Sequence, residues 1–151
     1  MTIKNTLPPT KINLLLRGIN LESTVCSLSD RHDEDEVHLF CDCDTNMQIW
    51  DKIRQWTNLQ IPHWLIIDDI WLWVDGIPIT SRQRTIIRVI VIATLLNIWR
   101  LHNSYVFKDS KFKKSHVFDS KVVLAFNWLY SRFCKSSINW TVWLQNPMNA
   151  L

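Results

Sequence analysis

The stretch IIRVIVIATLLNIW, Ile86–Trp99, decides the fold class of this chain. Its β-branched side chains would suit a buried strand. However, the apolar run is longer than the usual strand of about 4–8 residues, so we predict a buried helix over residues 82–102, capped by Ser81. The run contains Arg88 and Asn97 and is shorter than the ~20 residues of a bilayer span, so we predict no membrane crossing.

The composition favours the same fold class. The chain has 151 residues, of which 47% are apolar and only 2 are glycine. All-β and loop-rich folds need glycine at turns with positive φ, whereas helices with short connections do not. We therefore predict a mainly α, small helical domain with an irregular Cys/His loop between its first two helices.

Two helices are predicted before the central one. The segment TKINLLLRG begins at Thr10, a good N-cap, and ends at Gly18, a good C′ residue. Thr45 and Gln48 have capping-box spacing, and apolar residues then recur at helical spacing, which predicts an amphipathic helix over 46–57.

One further helix is predicted just before the central one, and another after it. A short helix capped by Asp68 or Asp69 should end at Gly76. The segment SHVFDSKVVLAFNWLYSRFC is predicted to form a helix with one apolar face, formed by Phe118, Val122, Ala125, Phe126, Leu129 and Phe133. The tail INWTVWLQNPMNAL is predicted to pack back as an irregular arm.

The loop CSLSDRHDEDEVHLFCDC, Cys26–Cys43, has the residue types of a zinc site. Structural zinc takes four Cys or His ligands in a tetrahedron. The loop is too poor in apolar residues to fold without a staple. The acidic run Asp33–Glu36 lacks the glycine turn of a calcium loop and is interpreted as a solvated segment.

Charge is divided unevenly along the chain. Residues 1–75 hold 6 basic and 12 acidic side chains, a net charge of −6, and residues 76–151 hold 11 and 2, a net charge of +9. Such asymmetry indicates an acidic half docked on a basic one or a basic face for a polyanion; two solvated faces of opposite sign would look the same.

The segment from Leu7 to Trp50 resembles the reverse-transcriptase zinc-binding domain at the C-terminal end of plant LINE-type, non-LTR retrotransposon polyproteins. The matching landmarks are Asn13, Leu14, Arg17, Gly18, Ile19, Ser23, Glu34, His38, Leu39, Phe40, Cys43 and Trp50. Downstream, IWRLHNSYVF, Ile98–Phe107, is similar to the family's IW-x-x-RN-x-x-VF, with His102 where arginine is usual. The resemblance extends to the end of the chain. The family's Trp-rich upstream segment has no counterpart, so the chain resembles a truncated fragment.

The resemblance implies a set of metal ligands. These are Cys26, position 29, His38 and Cys43, and position 29 is Ser29, a poor replacement for a thiolate. The three remaining ligands would hold zinc more weakly, either with water or with a substitute fourth ligand: Asp30, His32 or Cys41. Cys41 and Cys134 also fit the pattern of small core residues, and His63, His102 and His116 that of ordinary surface or packed histidines.

The basic residues, as well as the resemblance, predict that the chain binds nucleic acid. Basic side chains neutralise phosphates, and nearby aromatic side chains can stack on unpaired bases. The candidates are Arg82, Arg84, Arg88, Arg100, Lys108, Lys111, Lys113 and Lys114.

No autonomous enzyme is predicted. Asp68 and Asp69 look like the paired aspartates of polymerases, but the chain is too short for a polymerase palm, so helix capping is the preferred interpretation. The sequence has no P-loop, G-x-G-x-x-G, H-E-x-x-H or G-x-S-x-G motif.

The leading hypothesis is a zinc-binding, non-catalytic accessory module of a retrotransposon RNA-directed DNA polymerase. It would span 7–57, with 58–151 as a helical extension of the same unit, and would bind template RNA or target DNA beside its parent polymerase domain. The alternatives are a metal-free structural or protein-interaction domain and a decayed retrotransposon fragment. No secretory signal opens the sequence, which predicts a nuclear or cytoplasmic location.

Overall fold

A computed structural model describes residues 9–63, 66–107, 113–132 and 138–150. These residues are mainly helical and contain no strand, which confirms the predicted fold class. The α-helices in the described ranges are α1 (Lys11–Leu16), α2 (Asp44–Thr57), α3 (Ile67–Gly76), α4 (Ser81–Val106), α5 (Val117–Arg132) and α6 (Trp140–Gln145). Short elements are a π-helical turn, His38–Asp42, and 3₁₀ turns at Lys114–His116 and Pro147–Asn149.

Helix α4 forms the centre of the core and packs mainly against α5. It is longer than the predicted 82–102, and its N-cap is Thr80 rather than Ser81. Thr80 Oγ1 accepts from the Gln83 N–H at 3.2 Å, and Gln83 Oε1 accepts from the Thr80 N–H at 3.1 Å. This reciprocal pair satisfies two backbone donors, which explains why the helix starts one residue early.

Helix α4, with 26 residues, is long and apolar enough to cross a membrane by length and composition alone, so the argument from the shorter apolar run does not hold for the complete helix. Its burial is that of a core helix, because 56% of the apolar window lies inside the fold. The buried polar side chains Thr94 and Asn97 donate to the carbonyls of Ile90 and Ala93, at 2.7 and 2.8 Å. These local bonds allow polar residues within the core.

Helix α1 has the predicted ends. Thr10 Oγ1 accepts from the Asn13 N–H at 3.2 Å, and Gly18 follows the helix with φ of +85°, a conformation that glycine adopts without strain. Helix α2 does not start as predicted: its N-cap is Cys43, and Thr45 is buried in the first turn.

Helix α3 starts at Ile67, with Ile66 rather than Asp68 or Asp69 at the N-cap. Asp69 accepts from the Ile66 N–H at 3.3 Å, and both aspartates lie in the first turn, where negative charge is favourable. The aspartates therefore support the helix start without occupying the cap.

Helix α5 buries Val122, Ala125 and Leu129 as predicted and half-buries Phe118 and Phe126; Phe133 lies outside the described residues. The tail packs back as predicted, but it is helical rather than irregular. Asn139 caps α6 by accepting from the Thr141 N–H at 2.8 Å, and Trp143 is fully buried.

Two tryptophans connect the tail to the rest of the fold. Trp143 Nε1–H donates to the Val122 carbonyl at 3.1 Å, and Trp56 Nε1–H donates to the Trp143 carbonyl at 2.9 Å. Each ring thus buries a large apolar surface while its polar group finds a partner.

Candidate metal centre

Cys26 lies in a tight turn at the start of the loop. Its N–H donates to the His32 carbonyl at 2.8 Å, and its carbonyl accepts from the Asp30 N–H at 2.9 Å. Asp30 adopts φ of +52°, a left-handed conformation that aspartate tolerates better than most residues. The turn folds the chain back on itself and leaves the Cys26 side chain completely buried.

His38 opens the π-helical turn and is also buried, with 3% of its surface exposed. Its Nδ1–H donates to the Asp42 carboxylate at 2.9 Å, and its Nε2 lies 3.1 Å from the Ser29 hydroxyl. A carboxylate at Nδ1 fixes the ring and its tautomer, as it does for histidines that bind metals through Nε2.

Cys43 lies at the junction of the π-helical turn and α2. It is completely buried, and its position at the N-cap brings its sulfur to the positive end of a 14-residue helix. The backbone N–H groups of Thr45 and Asn46 act to lower the pKa of the Cys43 thiol there, but they do not outweigh the opposing effects of Cys26 and burial.

The ligand atoms of Cys26, His38 and Cys43 lie within 4.8 Å of one another, and all three residues are buried. The structure therefore brings together a Cys/His/Cys group that could hold a metal ion. Ser29 faces the same group through its contact with His38. The positions implied by the resemblance, 26, 29, 38 and 43, thus converge in space.

The proposed substitute ligands lie outside this group. Asp30 and His32 are exposed, although the His32 ring centroid is 5.6 Å from that of His38. Cys41 belongs to the hydrophobic core, and burial together with nearby Asp42 raises the pKa of its thiol to about 11. Among the described residues, none of the three joins a metal-binding group.

The two cysteines of the group interact directly. Their mutual hydrogen bond lowers the pKa of Cys26 and raises the pKa of Cys43, and burial adds to the rise at Cys43. The two thiols therefore do not lose their protons independently, and metal binding requires both to be deprotonated.

A second buried group of potential metal ligands, which was not predicted from the sequence, also includes Cys26. Glu34, expected in a solvated acidic segment, is 4% exposed, and His102, expected to be apart from other site residues, is 2% exposed. His102 Nδ1 lies 3.6 Å from Cys26 Sγ and 3.3 Å from Glu34 Oε2. Burial alone would lower the pKa of His102, but the hydrogen bonds to Cys26 and Glu34 raise it overall.

The only sequence signal for this pair was indirect. Glu34 matches the family's glutamate, and His102 occupies the position of the family's arginine. A basic residue 68 positions from an acidic one gives no reason to pair them until the fold is known.

Two of the predicted nucleic-acid residues bond to neighbouring groups of the protein, and three others are exposed. Arg84 donates to the carbonyls of Val74 and Ile77, the latter at 3.0 Å, and Arg88 pairs with Asp75 at 2.5 Å. Arg82, Arg100 and Lys113 are exposed. Lys108, Lys111 and the side chain of Lys114 lie outside the described part of the chain.

Arg100 borders a cleft of about 620 Å³ between α4 and the start of α5, together with His116 and Asp119. Since Arg82 lies 18 residues before Arg100 on the same helix, the two are about 27 Å apart and point in the same direction. The exposed cations are therefore spread along α4 rather than gathered in one patch.

Comparison with known proteins gives no match: neither a family model, nor a curated protein, nor a solved structure matches this chain. The family resemblance seen in the sequence stays a prediction.

Proposed function

We propose that this chain is a zinc-binding, nucleic-acid-associated accessory module of a retrotransposon RNA-directed DNA polymerase, without catalytic activity of its own. The observation that carries the proposal is the convergence of Cys26, His38 and Cys43 in one buried group, with Ser29 beside them. These positions are the ones that the family resemblance implies.

Zinc is the metal that suits this set of donors best. Two thiolates and an imidazole are soft and borderline ligands, which zinc prefers, whereas magnesium and calcium require oxygen ligands. The Asp42 carboxylate on His38 Nδ1 supplies the outer-shell partner that zinc-binding histidines have. Three protein donors leave one position, next to Ser29, for water or the hydroxyl.

The role of such a metal would be structural. Cys26 lies in the first turn of the loop, His38 in the π-helical turn and Cys43 at the start of α2. One ion bound to all three would cross-link these segments and hold a loop that has few apolar side chains of its own.

Cobalt(II) titration of the reduced protein tests the metal site. The wild type should develop a thiolate-to-cobalt absorption band, and His38→Ala should lose it or need much more cobalt. His63→Ala removes an exposed histidine and serves as the matched control, which should behave as the wild type. A wild type without a band would reject the metal site.

The nucleic-acid role is supported by exposed Arg82, Arg100 and Lys113 in the basic half of the chain. Binding to a single-stranded RNA should weaken steeply with salt, because each neutralised phosphate releases counterions. Arg100→Ala should reduce the salt slope by about 1, and Lys52→Ala, exposed on α2, should leave it unchanged. Absence of binding at low salt would contradict this role.

A second candidate, a protein-interaction domain, is favoured by the apolar side of α1. Leu15 and Leu16 on α1 are 47 and 62% exposed, and Ile19, just after the helix, is 47% exposed, although apolar side chains are usually covered. Under this alternative, light scattering should detect association that Leu16→Gln reduces, and RNA binding should be absent.

A further inference from the structure

The group formed by Cys26, Glu34 and His102 has no role in the proposed zinc site. Its ligand atoms lie within 4.8 Å of one another, and all three residues are buried. Glu34 comes from the loop and His102 from the last turns of α4, so the group joins the two halves of the chain. A buried acid, thiol and imidazole in contact are costly unless their charges are compensated.

A catalytic Cys–His–Glu triad is the first interpretation to test, and the geometry rejects it. In such a triad the carboxylate binds one ring nitrogen and the nucleophile contacts the other. Here Sγ of Cys26 and Oε2 of Glu34 both face Nδ1 of His102. In addition, Cys26 is 0% exposed, so no substrate can reach its sulfur without rearrangement.

Two arrangements can bring Cys26 Sγ and Glu34 Oε2 to the same nitrogen. Either the proton on Nδ1 is shared between the two acceptors, or a metal ion binds all three atoms. A charged N–H···O bond is about 2.7–2.9 Å long, whereas the Nδ1 to Oε2 distance is 3.3 Å. Zinc–ligand bonds of about 2.0–2.3 Å in a tetrahedron give edges of about 3.6 Å for S to N and about 3.4 Å for N to O. The observed 3.6 and 3.3 Å fit these edges.

The surroundings of the group support a bound cation. Glu34 is held in place because its Oε1 accepts from the Lys11 N–H at 3.4 Å, which leaves Oε2 for His102. Nε2 of His102 is buried without a hydrogen-bond partner among the described residues. A metal ion on Nδ1 would keep the ring neutral, with its proton on Nε2, and would bring a compensating positive charge to the Glu34 carboxylate and the Cys26 sulfur.

We infer that Cys26, Glu34 and His102 form a second zinc site, which shares the Cys26 sulfur with the Cys26/His38/Cys43 site. Thiolates can bridge two metal ions, and Cys26 lies in both groups. With Cys26, Cys43 and Glu34 ionised, three negative charges would face two divalent cations, so the buried cluster would carry a net charge of +1. This inference rests on the proposed metal site, because the bridging sulfur is common to both.

The second site would also change what the metal does for the fold. The first site connects segments of the loop and the start of α2, all within residues 26–43. The second would link that loop to α4 through His102, which lies 68 residues after Glu34. Metal binding would then stabilise the contact between the loop and the core helix.

Native mass spectrometry of the reduced protein with excess zinc tests the inference. The wild type should bind two zinc ions, and His102→Gln and Glu34→Gln should each bind one. His38→Ala should lose the first ion, and His116→Ala, an exposed histidine, is the matched control that keeps both. His102→Arg keeps a positive charge beside Glu34, so a folded His102→Arg protein that binds one ion separates loss of a ligand from loss of the fold.

The outcomes distinguish the two proposals. One zinc ion in the wild type, lost in His38→Ala and kept in His102→Gln, would overturn the second site and leave the proposed function intact. No zinc in any variant would overturn both. Two ions in the wild type and two in His102→Gln would place the second ion elsewhere and also reject the inference.

Discussion

The hydroxyl of Ser29 lies 3.1 Å from Nε2 of His38, in the position where a fourth zinc ligand would be expected. The loop thus presents position 29 to the metal-binding group although its residue is a poor ligand. A stronger ligand placed at position 29 would therefore lie beside His38.

Ser29→Cys should therefore tighten metal binding. A third thiolate beside His38 completes a Cys₃His set, and we expect zinc affinity to increase at least about tenfold, or about 1.4 kcal/mol. A competition titration with a chromophoric chelator measures this change. Ser27→Cys is the control, because the Ser27 hydroxyl accepts from Lys11 Nζ at 2.7 Å. Equal affinities for the two variants would show that position 29 does not face the metal.

Asp42→Asn should weaken metal binding without removing a ligand. Asp42 holds His38 through Nδ1, and loss of such an outer-shell carboxylate costs about 10–100-fold in affinity. The same chelator competition gives the value. Asp44→Asn is the matched control, since Asp44 pairs with Arg31 at 3.2 Å in an exposed ion pair. An affinity unchanged in Asp42→Asn would mean that another nitrogen or another residue holds the ion.

Lys121→Met should stabilise the protein. Lys121 is fully buried, its Nζ lies 3.9 Å from the centroid of Phe118, and among the described residues it has no hydrogen-bond partner. Replacing such a group by an apolar side chain of similar length should add about 1–3 kcal/mol to the free energy of unfolding, measured with urea at pH 7. Lys113→Met, at an exposed position, should have little effect.

The stabilisation should depend on pH. Burial, and then the positive charge of Lys52, hold the pKa of Lys121 well below its usual value of 10.5 in the folded state. Between that lowered pKa and 10.5 the unfolded chain binds the extra proton, so wild-type stability rises with pH. The difference between Lys121→Met and wild type should shrink from pH 7 to pH 9. A constant difference would mean that the amine is charged inside the fold.

Arg84→Ala should destabilise the protein, in contrast to substitution of other predicted nucleic-acid residues. Its guanidinium donates to the carbonyls of Val74 and Ile77, which closes the C-terminal end of α3 against α4. Loss of these charged hydrogen bonds should cost about 1–3 kcal/mol in urea unfolding. Arg82→Ala, two residues earlier and exposed, should change the free energy of unfolding by less than about 0.5 kcal/mol. Similar values for both would contradict a structural role for Arg84.

The sequence was sufficient for features that depend on local spacing. Thr10 and Gly18 delimit α1 as predicted, and the apolar spacing of α2 and α5 identified the buried faces. Helix starts were misplaced by a residue or two, because neighbouring side chains compete for the same backbone donors. Thr80, paired with Gln83, is the N-cap of α4 in place of Ser81, and Cys43 is the N-cap of α2 in place of Thr45.

Features that depend on distant residues were not predictable. The proximity of Cys26, His38 and Cys43 was expected from the family resemblance and from their place in one short loop, but Glu34 and His102 meet only because α4 packs against that loop. The irregular tail was a wrong prediction for a similar reason. Its helix is stabilised by burial of Trp143 against α5 and α2, and a six-residue helix has little intrinsic stability.

The rings of Trp56 and Trp143 meet edge to face, with centroids 5.1 Å apart and an interplanar angle of 86°. Indoles this close couple electronically, so the pair should give a characteristic near-ultraviolet circular dichroism signal. Trp56 belongs to α2 and Trp143 to α6, so the signal reports whether the last helix is docked on the first half of the chain. The protein therefore carries its own spectroscopic probe of tail docking, readable without any added label.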